Sequence, residues 1–471
     1  MTSIRMNRRS ACAALAGCAA SAALIRPVMA GSPTLLRAQA ATVQLAPEGY
    51  PATGVWSYDG TIPGPLIRAR QGDRLRRRLV NDLTVPTSIH WHGIRIDNAM
   101  DGVAGLTQEA VQPGDTFDYD FVLPDAGTYW YHAHENSMEQ VGRGLSGPLI
   151  VDEPDAPDVD RDEVLVLCDW LIDPKTGGFV EPFEQGMMMS HAGRTGNLVG
   201  VNGRFDFSLR ARQNERLRLR LVNTANASIF TLHLQGMAGW VVALDGMPLE
   251  APEMAGDVIT LAPAQRMDLI VDITAETGAS AGLLMWIGDN DWETLASIIV
   301  DGTAARSSRD APKPLAPNPA MDMRDFANAT RLEMLMEGGA MAGFETARYQ
   351  GSELDFRSLV QRGKYWSTGW SGRAEPVARD DAPCASLSRG EPVVMSIINR
   401  TAFAHAMHLH GTHFRTVAKD GSLGPLRDTV ISLPDEPVEI AFNADNPGKW
   451  LFHCHMLGHA ASGMSTWFEV G

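Results

Sequence analysis

Three stretches of the chain repeat one pattern, and this repetition limits the fold more than any other feature. The first reads LIRARQGDRLRRRLVNDLTVPTSIHWHG, the second SLRARQNERLRLRLVNTANASIFTLHLQG and the third SLSRGEPVVMSIINRTAFAHAMHLHG. Each is an alternating segment, a polar turn, a second alternating segment ending at an Asn, a short loop, and a segment ending in Gly. Alternation of period two reads as strand, and Gly, Pro and Asn mark the turns. Gly72 lies 18 residues before His90, and Gly390 lies 18 before His408. A second shared element follows, AGTYWYHAH in the first copy and PGKWLFHCH in the third. The middle copy has AGLLMWIGD there, without histidine.

No long apolar stripe of period 3.6 runs through residues 41–471, so the expected class is all-β, with strands packed as sandwiches. Three copies predict three β-sandwich domains, near residues 41–155, 156–305 and 306–471. The Pro-rich DAPKPLAPNPAMD (Asp310–Asp322) reads as the linker before the third. If the third domain folds back onto the first, their histidines meet at an interface, and the middle domain is a spacer that holds the clasp.

The chain has 13 histidines, and ten fall in four clusters. His90 and His92 lie in HWHG, and His132 and His134 in YHAH. His405, His408 and His410 lie in HAMHLHG, and His453, His455 and His459 in WLFHCHMLGHAASGM. Only His191, His233 and His413 lie outside, and these read as ordinary structural histidines. On a strand, residues i and i+2 share a face, so each His-x-His offers two imidazoles roughly 7 Å apart on one side. Four such pairs can bring eight imidazoles to one place. The middle residue of HCH points the other way, so Cys454 serves a different metal. His405 and His459 are the histidines left to join it, with Met464 as a weak fourth ligand. Two His, one Cys and a distant Met form the blue-copper ligand set. Zinc would favour a closed tetrahedron with no need of eight imidazoles beside it. Imidazoles without carboxylates favour copper over magnesium, calcium or manganese.

On these motifs the chain resembles the multicopper oxidases, the family of laccases and bacterial cuprous oxidases, from about Ala41 to Gly471. The flanks TIPGPLIRARQGD, DNAMDGVAGLTQ and GTYWYHAH are similar to the bacterial three-domain branch. The resemblance implies three cupredoxin-like Greek-key domains and four copper ions. His405, Cys454, His459 and axial Met464 would hold a type 1 copper, and His90 and His408 a type 2 copper. His92, His132, His134, His410, His453 and His455 would hold a type 3 pair. It further implies one-electron oxidation of a reducing substrate at type 1 and reduction of dioxygen to water at the trinuclear cluster. Cys454 and its bonded neighbours His453 and His455 would join the two centres through a few covalent bonds. Asp101, in DNAMDGV, matches the family's acid near the type 2 copper and is expected to orient water and relay protons. Many bacterial relatives carry acids beside the last type 1 histidine, where this chain has Gly458 and Ala460.

The expected substrate is a phenol or aromatic amine, taken at an open type 1 edge. The alternative is Cu(I), because thioether sulfur selects it. The chain has 22 Met, among them Met187–Met189 and Met334, Met336 and Met341. Two other classes fit the fold: a copper-free scaffold protein, and a copper nitrite reductase lacking a type 3 pair.

The N-terminus reads as an export signal covering residues 1–40. Arg8 and Arg9 suggest the twin-arginine route, with cleavage after Ala30 or Ala40, and LAGC ending at Cys18 offers a lipoprotein site. This places the protein in the periplasm. Of five cysteines, Cys168, Cys384 and Cys454 lie beyond the signal, too few for a disulfide scaffold. No later stretch is apolar for the ~20 residues a membrane span needs. A net charge of −16 disfavours nucleic-acid partners and anionic lipid. A monomer suffices, since the cluster needs only domains one and three of one chain.

Overall fold

A computed structural model describes residues 32–289, 291–304, 309–323, 325–370 and 382–471. Arg8, Arg9, Cys12, Cys18 and the cleavage site after Ala30 lie outside the described residues. The chain forms three cupredoxin-like β-sandwiches. In the first, the sheet of Thr53–Tyr58, Thr34–Val43, Arg74–Asn81 and Thr116–Val122 faces that of Ile67–Arg70, Ser146–Asp152, Gly127–Ala133 and Ile89–His92. The second and third each pair a six-stranded with a five-stranded sheet.

The first sheet takes in residues 34–40 of the expected signal. Thr34–Val43 pairs with two neighbours, and Leu36 and Ala38 are buried in the core. The first sandwich therefore starts before residue 41. A cut after Ala40 would remove most of a core strand.

The Asn that closes the second strand of each repeat has one job in all three copies. Asn81 donates to the carbonyls of Val85 and Val111 and accepts from Leu83 N. Asn223 does the same with Ser228, Leu261 and Ala225, and Asn399 with Phe403, Ser432 and Thr401. One buried amide thus satisfies two backbone groups of the loop that leaves the sheet and one carbonyl of a distant segment, where water cannot. The loop then delivers the next strand: Ile89–His92, Phe230–Gln235 or His405–Leu409.

The arginines of the first two copies show how one pattern serves two environments. Arg74, Arg76 and Arg78 are part-exposed and pair with Asp118 and Asp120 on the neighbouring strand. Arg216, Arg218 and Arg220 of the second copy are buried instead. They pair with Asp272, Asp268, Asp162 and Glu153, and Arg220 also donates to Thr128 Oγ1 at 2.9 Å. The first and second sandwiches meet on this face.

Sandwiches one and three share one hydrophobic core, which runs from Leu36 through Trp91 and Tyr131 to Met407, Trp450 and Val470. The middle sandwich has its own, built on Leu219, Leu232 and Leu269. The linker is pinned to the first sandwich, where Asn318 exchanges hydrogen bonds with both backbone groups of Ala126 at 2.9 and 2.6 Å. Asn446 Nδ2 donates to Ile96 O, and Asn98 Nδ2 donates to Lys449 O. The two ends of the chain are therefore closed on each other. Among the described residues no helix is long and apolar enough to cross a membrane. Cys168 is a free thiol.

Candidate metal centre

The repeated strands bring the histidines together by register. His90 faces His132 across the pair Ile89–His92 and Gly127–Ala133, and His408 faces His453 across His405–Leu409 and Gly448–Cys454. The two pairs of strands meet at the closed interface. Ring centroids of His92 and His408 are 3.7 Å apart, those of His90 and His410 3.9 Å, and those of His132 and His455 5.2 Å. His134 lies 5.5 Å from His453. All eight expected imidazoles surround one space.

Carbonyl oxygens fix the tautomers, because a carbonyl can only accept. His90 Nδ1 donates to Asp101 O at 2.8 Å, His408 Nδ1 to Asp428 O at 2.9 Å, His132 Nδ1 to Ala133 O at 3.0 Å and His453 Nδ1 to Cys454 O at 2.9 Å. His410 Nδ1 donates to Asp101 Oδ2 at 3.0 Å. Each of these rings then presents Nε2 inward as a bare lone pair. His410 Nε2 and His453 Nε2 face each other at 3.1 Å, and His132 Nε2 and His455 Nε2 at 3.4 Å. His90 Nε2, His408 Nε2 and His92 Nδ1 have no hydrogen-bond partner although they are buried. Burial, with repulsion from neighbouring imidazoles, lowers the pKa of His92, His132, His134, His410 and His455 well below the usual range. Burial likewise takes His453 down to about 3. Neutral rings with converging lone pairs and no proton between them form a cation site.

Asp101 is buried directly behind the cage. Its backbone carbonyl holds His90 and its carboxylate holds His410. The next residue, Gly102, has φ +83°, and a Cβ there would lie 1.7 Å from Ile89 O. Only glycine lets this turn sit against the histidine strand.

The sulfur site lies on the other face of the same strand. Cys454 Sγ is 3.6 Å from His405 Nδ1 and 3.7 Å from His459 Nδ1, and those two nitrogens are 3.0 Å apart. His405 Nε2 donates to Thr401 Oγ1, and His459 Nε2 to His191 O, so both Nδ1 atoms face the sulfur as lone pairs. Burial lowers His459 to about 4 and pushes the Cys454 thiol up to about 12. A bound cation is what would draw that proton off. Met464 is buried, and its backbone is tied to Cys454 and His459.

The expected open edge at this site is not found. His405 and His459 are both fully buried. The helix Gly186–Ser190 of the middle sandwich packs on the helix Leu457–Ala461, with Met189 against Leu457 and Met138. Trp366 also covers the site, its ring centroid 4.5 Å from that of His459, and its Nε1 donates to Met189 O. The methionines divide by burial. Met334 and Met336 are core residues, whereas Met187 is 72% exposed and Met341 75%.

Four contributors were not read from the sequence. His191, expected to be an ordinary structural histidine, supplies the carbonyl that holds His459. Trp366 covers the sulfur site, and Asp428 and Arg266 stand behind the cage. None lies in a motif, because the fold alone brings them there. His233 lies apart on the middle sandwich, beside Trp292. His413 is buried with its Nε2 3.8 Å from Asp428 Oδ2.

Three β-sandwiches, a cage of neutral imidazoles and an adjoining Cys–His–His site define a copper-using redox protein. Multicopper oxidase family profiles match residues 39–156, 161–280 and 353–471. Multicopper oxidase MmcO of Mycobacterium tuberculosis is 31% identical over 96% of this chain and 90% of its own. Laccase-1 of Botryotinia fuckeliana is 30% identical, over 88% and 78%. The crystal structure of a multi-copper oxidase from Pseudomonas thermotolerans superposes with a TM-score of 0.79 at 34% identity, over 93% of this chain and 98% of that one. The chain belongs to the multicopper oxidase family and is an oxidoreductase that uses copper, dioxygen and a reducing substrate.

Proposed function

We propose that the chain couples one-electron oxidation of a phenol or aromatic amine to four-electron reduction of dioxygen to water, as a laccase-like enzyme with four coppers. His405, Cys454, His459 and Met464 would hold the type 1 ion, and His90 and His408 the type 2 ion. His92, His132, His134, His410, His453 and His455 would hold the type 3 pair. The observation that carries this is the set of buried, neutral, mutually facing ring nitrogens beside a buried Cys–His–His triangle. Bound copper would supply electron relay at the sulfur site and dioxygen reduction in the cage.

The chain's own residues do the rest. Cys454 is bonded through one strand to His453 and His455, so the two sites communicate through covalent bonds. Asp101 holds His90 and His410 in place and presents a carboxylate that can orient water and pass protons. The absence of acids at Gly458 and Ala460 leaves Asp101 the principal proton carrier. Because His459 is covered, the organic reductant docks on the outer side of Gly186–His191 rather than on the imidazole itself.

Cu(I) is the second reading. It is favoured by exposed Met187 on the helix that covers His459, and Met334 and Met336 play no part in it because they are buried. Three domains near 41–155, 156–305 and 306–471, the first extended back to the strand Thr34–Val43, would act as a monomer in the periplasm. Export by the twin-arginine route with cleavage after Ala30 keeps that strand whole.

Metal analysis with blue absorption and oxygen uptake tests the reading. Four coppers per chain are expected, against two for a nitrite reductase and none for a scaffold. Turnover on a bulky phenol compared with Cu(I) under air separates the two substrates.

A further inference from the structure

The middle sandwich carries none of the cage histidines, yet one of its side chains reaches the cage. Arg266, on the strand Arg266–Ile273, is fully buried and uses all five guanidinium N–H groups. Nε donates to Thr128 O at 3.2 Å. Nη1 donates to Ala264 O and Asp428 Oδ1 at 3.0 and 2.9 Å, and Nη2 to Asp245 O and Asp428 Oδ2 at 2.9 and 2.5 Å. Thr128 belongs to the strand of the first sandwich that carries His132. Asp428 belongs to the third and precedes the strand Thr429–Ser432, which pairs with the strand of His408. One guanidinium therefore ties all three sandwiches together.

Its main partner, Asp428, stands against two cage histidines. Asp428 Oδ1 lies 3.3 Å from His92 Nε2, and the Asp428 carbonyl accepts from His408 Nδ1 at 2.9 Å. Donor atoms of His92, His408 and Asp428 lie within 4.8 Å of one another. Asp428 is itself held by both arms of Arg266 and by Thr429 Oγ1 at 2.8 Å. The first sandwich leaves room for the pair at Gly93, φ +86°, where a Cβ would lie 2.3 Å from Arg266 Nη2 and 2.7 Å from Asp428 Oδ2.

We infer that Arg266 and Asp428 form a positioning pair for the cage. The Asp428 carboxylate fixes His92 with its Nδ1 inward, its backbone carbonyl fixes His408 with its Nε2 inward, and the guanidinium of the middle sandwich fixes the carboxylate. The inference rests on the copper reading above. The middle sandwich is then a working part of the oxygen-reducing site, because its guanidinium orients the carboxylate that holds His92.

Removing one charge of a buried pair strands the other, whereas removing both is better tolerated. The test therefore compares the loaded wild type with Arg266→Met/Asp428→Asn and with Arg266→Lys, which keeps the charge but loses the two-armed geometry. Each is read by thermal unfolding of the copper-free form, copper per chain, blue absorption and the type 2 electron paramagnetic resonance spectrum. The expected result is a cooperatively folded double variant with its blue band intact. It should have lost cage copper, or show a type 2 signal distinct from wild type. Arg266→Lys should show the same shift in weaker form, and it carries the test if the double variant does not fold. Full copper and a wild-type type 2 spectrum in whichever of these variants folds would overturn the inference. A wild type without copper or blue colour would overturn the copper reading itself, and this inference with it.

Discussion

His459 Nε2 donates to the backbone carbonyl of His191 at 2.6 Å, so the ring edge by which the sulfur site would meet solvent is closed by the middle sandwich. On the proposed reading, a reductant delivers its electron through the segment Gly186–His191. Replacing exposed Met187 with Glu alters that docking surface without touching a proposed copper ligand. We expect a KM change of about threefold to tenfold for neutral phenols, equivalent to roughly 0.7–1.4 kcal/mol, with the blue band unchanged. Steady-state kinetics on a phenol series checks this. An unaltered KM for every reductant would place docking elsewhere.

Cys454→Ser removes the sulfur that links the two sites. The expected protein is colourless, holds three coppers in place of the proposed four, and takes up no oxygen with any organic reductant. Metal analysis and absorption spectroscopy report both effects. Retained blue colour would remove Cys454 from the assignment.

Asp101→Asn preserves the shape of the side chain behind His410 but takes away its charge and basicity. Turnover should fall by roughly 10²-fold, the low end of the contribution of a positioned acid–base group, while copper content holds. Unchanged turnover with full copper would discard the proton role.

The Asn corners are a stability device independent of metal, and the middle copy tests that cleanly. Asn223→Ala leaves the carbonyls of Ser228 and Leu261 and the amide of Ala225 without their partner. A loss of about 1–3 kcal/mol is expected in denaturant unfolding of the copper-free protein.

Asp169 supplies a pH signature away from the metal. It is buried beside Ser228, and burial raises its pKa above the ordinary carboxylate value of 3.8. The folded state then holds the proton more tightly than the unfolded chain. This carboxyl favours folding most at low pH, and its contribution declines as pH rises from 3.8 through the raised value. The Tm of Asp169→Asn relative to wild type should therefore be more favourable at pH 7 than at pH 4.

Much of this was legible because strand chemistry is local. Period-two alternation located the strands, the closing Asn located the corners, and His-x-His spacing placed two imidazoles on one face. The matching gaps from Gly72 to His90 and from Gly390 to His408 pointed to equivalent strands in two sandwiches. Surfaces where sandwiches meet were not legible. RLRRRLVN and RLRLRLVN read alike, yet one set of arginines faces solvent and the other is buried. Whether a strand face becomes an interface depends on residues far away in the chain. For the same reason Asp428, Arg266 and the carbonyl of His191 carried no local signal, and the closed edge over His459 could not be read from the motif around it.

The shared core of the outer sandwiches has a consequence for biosynthesis. The cage needs Ile89–His92 and Gly127–Ala133 from the first sandwich and Gly448–Cys454 from the third, far later in the chain. During translation a ribosome-bound fragment can complete the middle sandwich, but it cannot assemble the proposed cage until Gly448–Cys454 has emerged. Pairing across such sequence separation is slow relative to local folding. A chain cut before Gly448 would therefore keep the separate core of the middle sandwich but lack the late strands of the shared core and of the proposed cage.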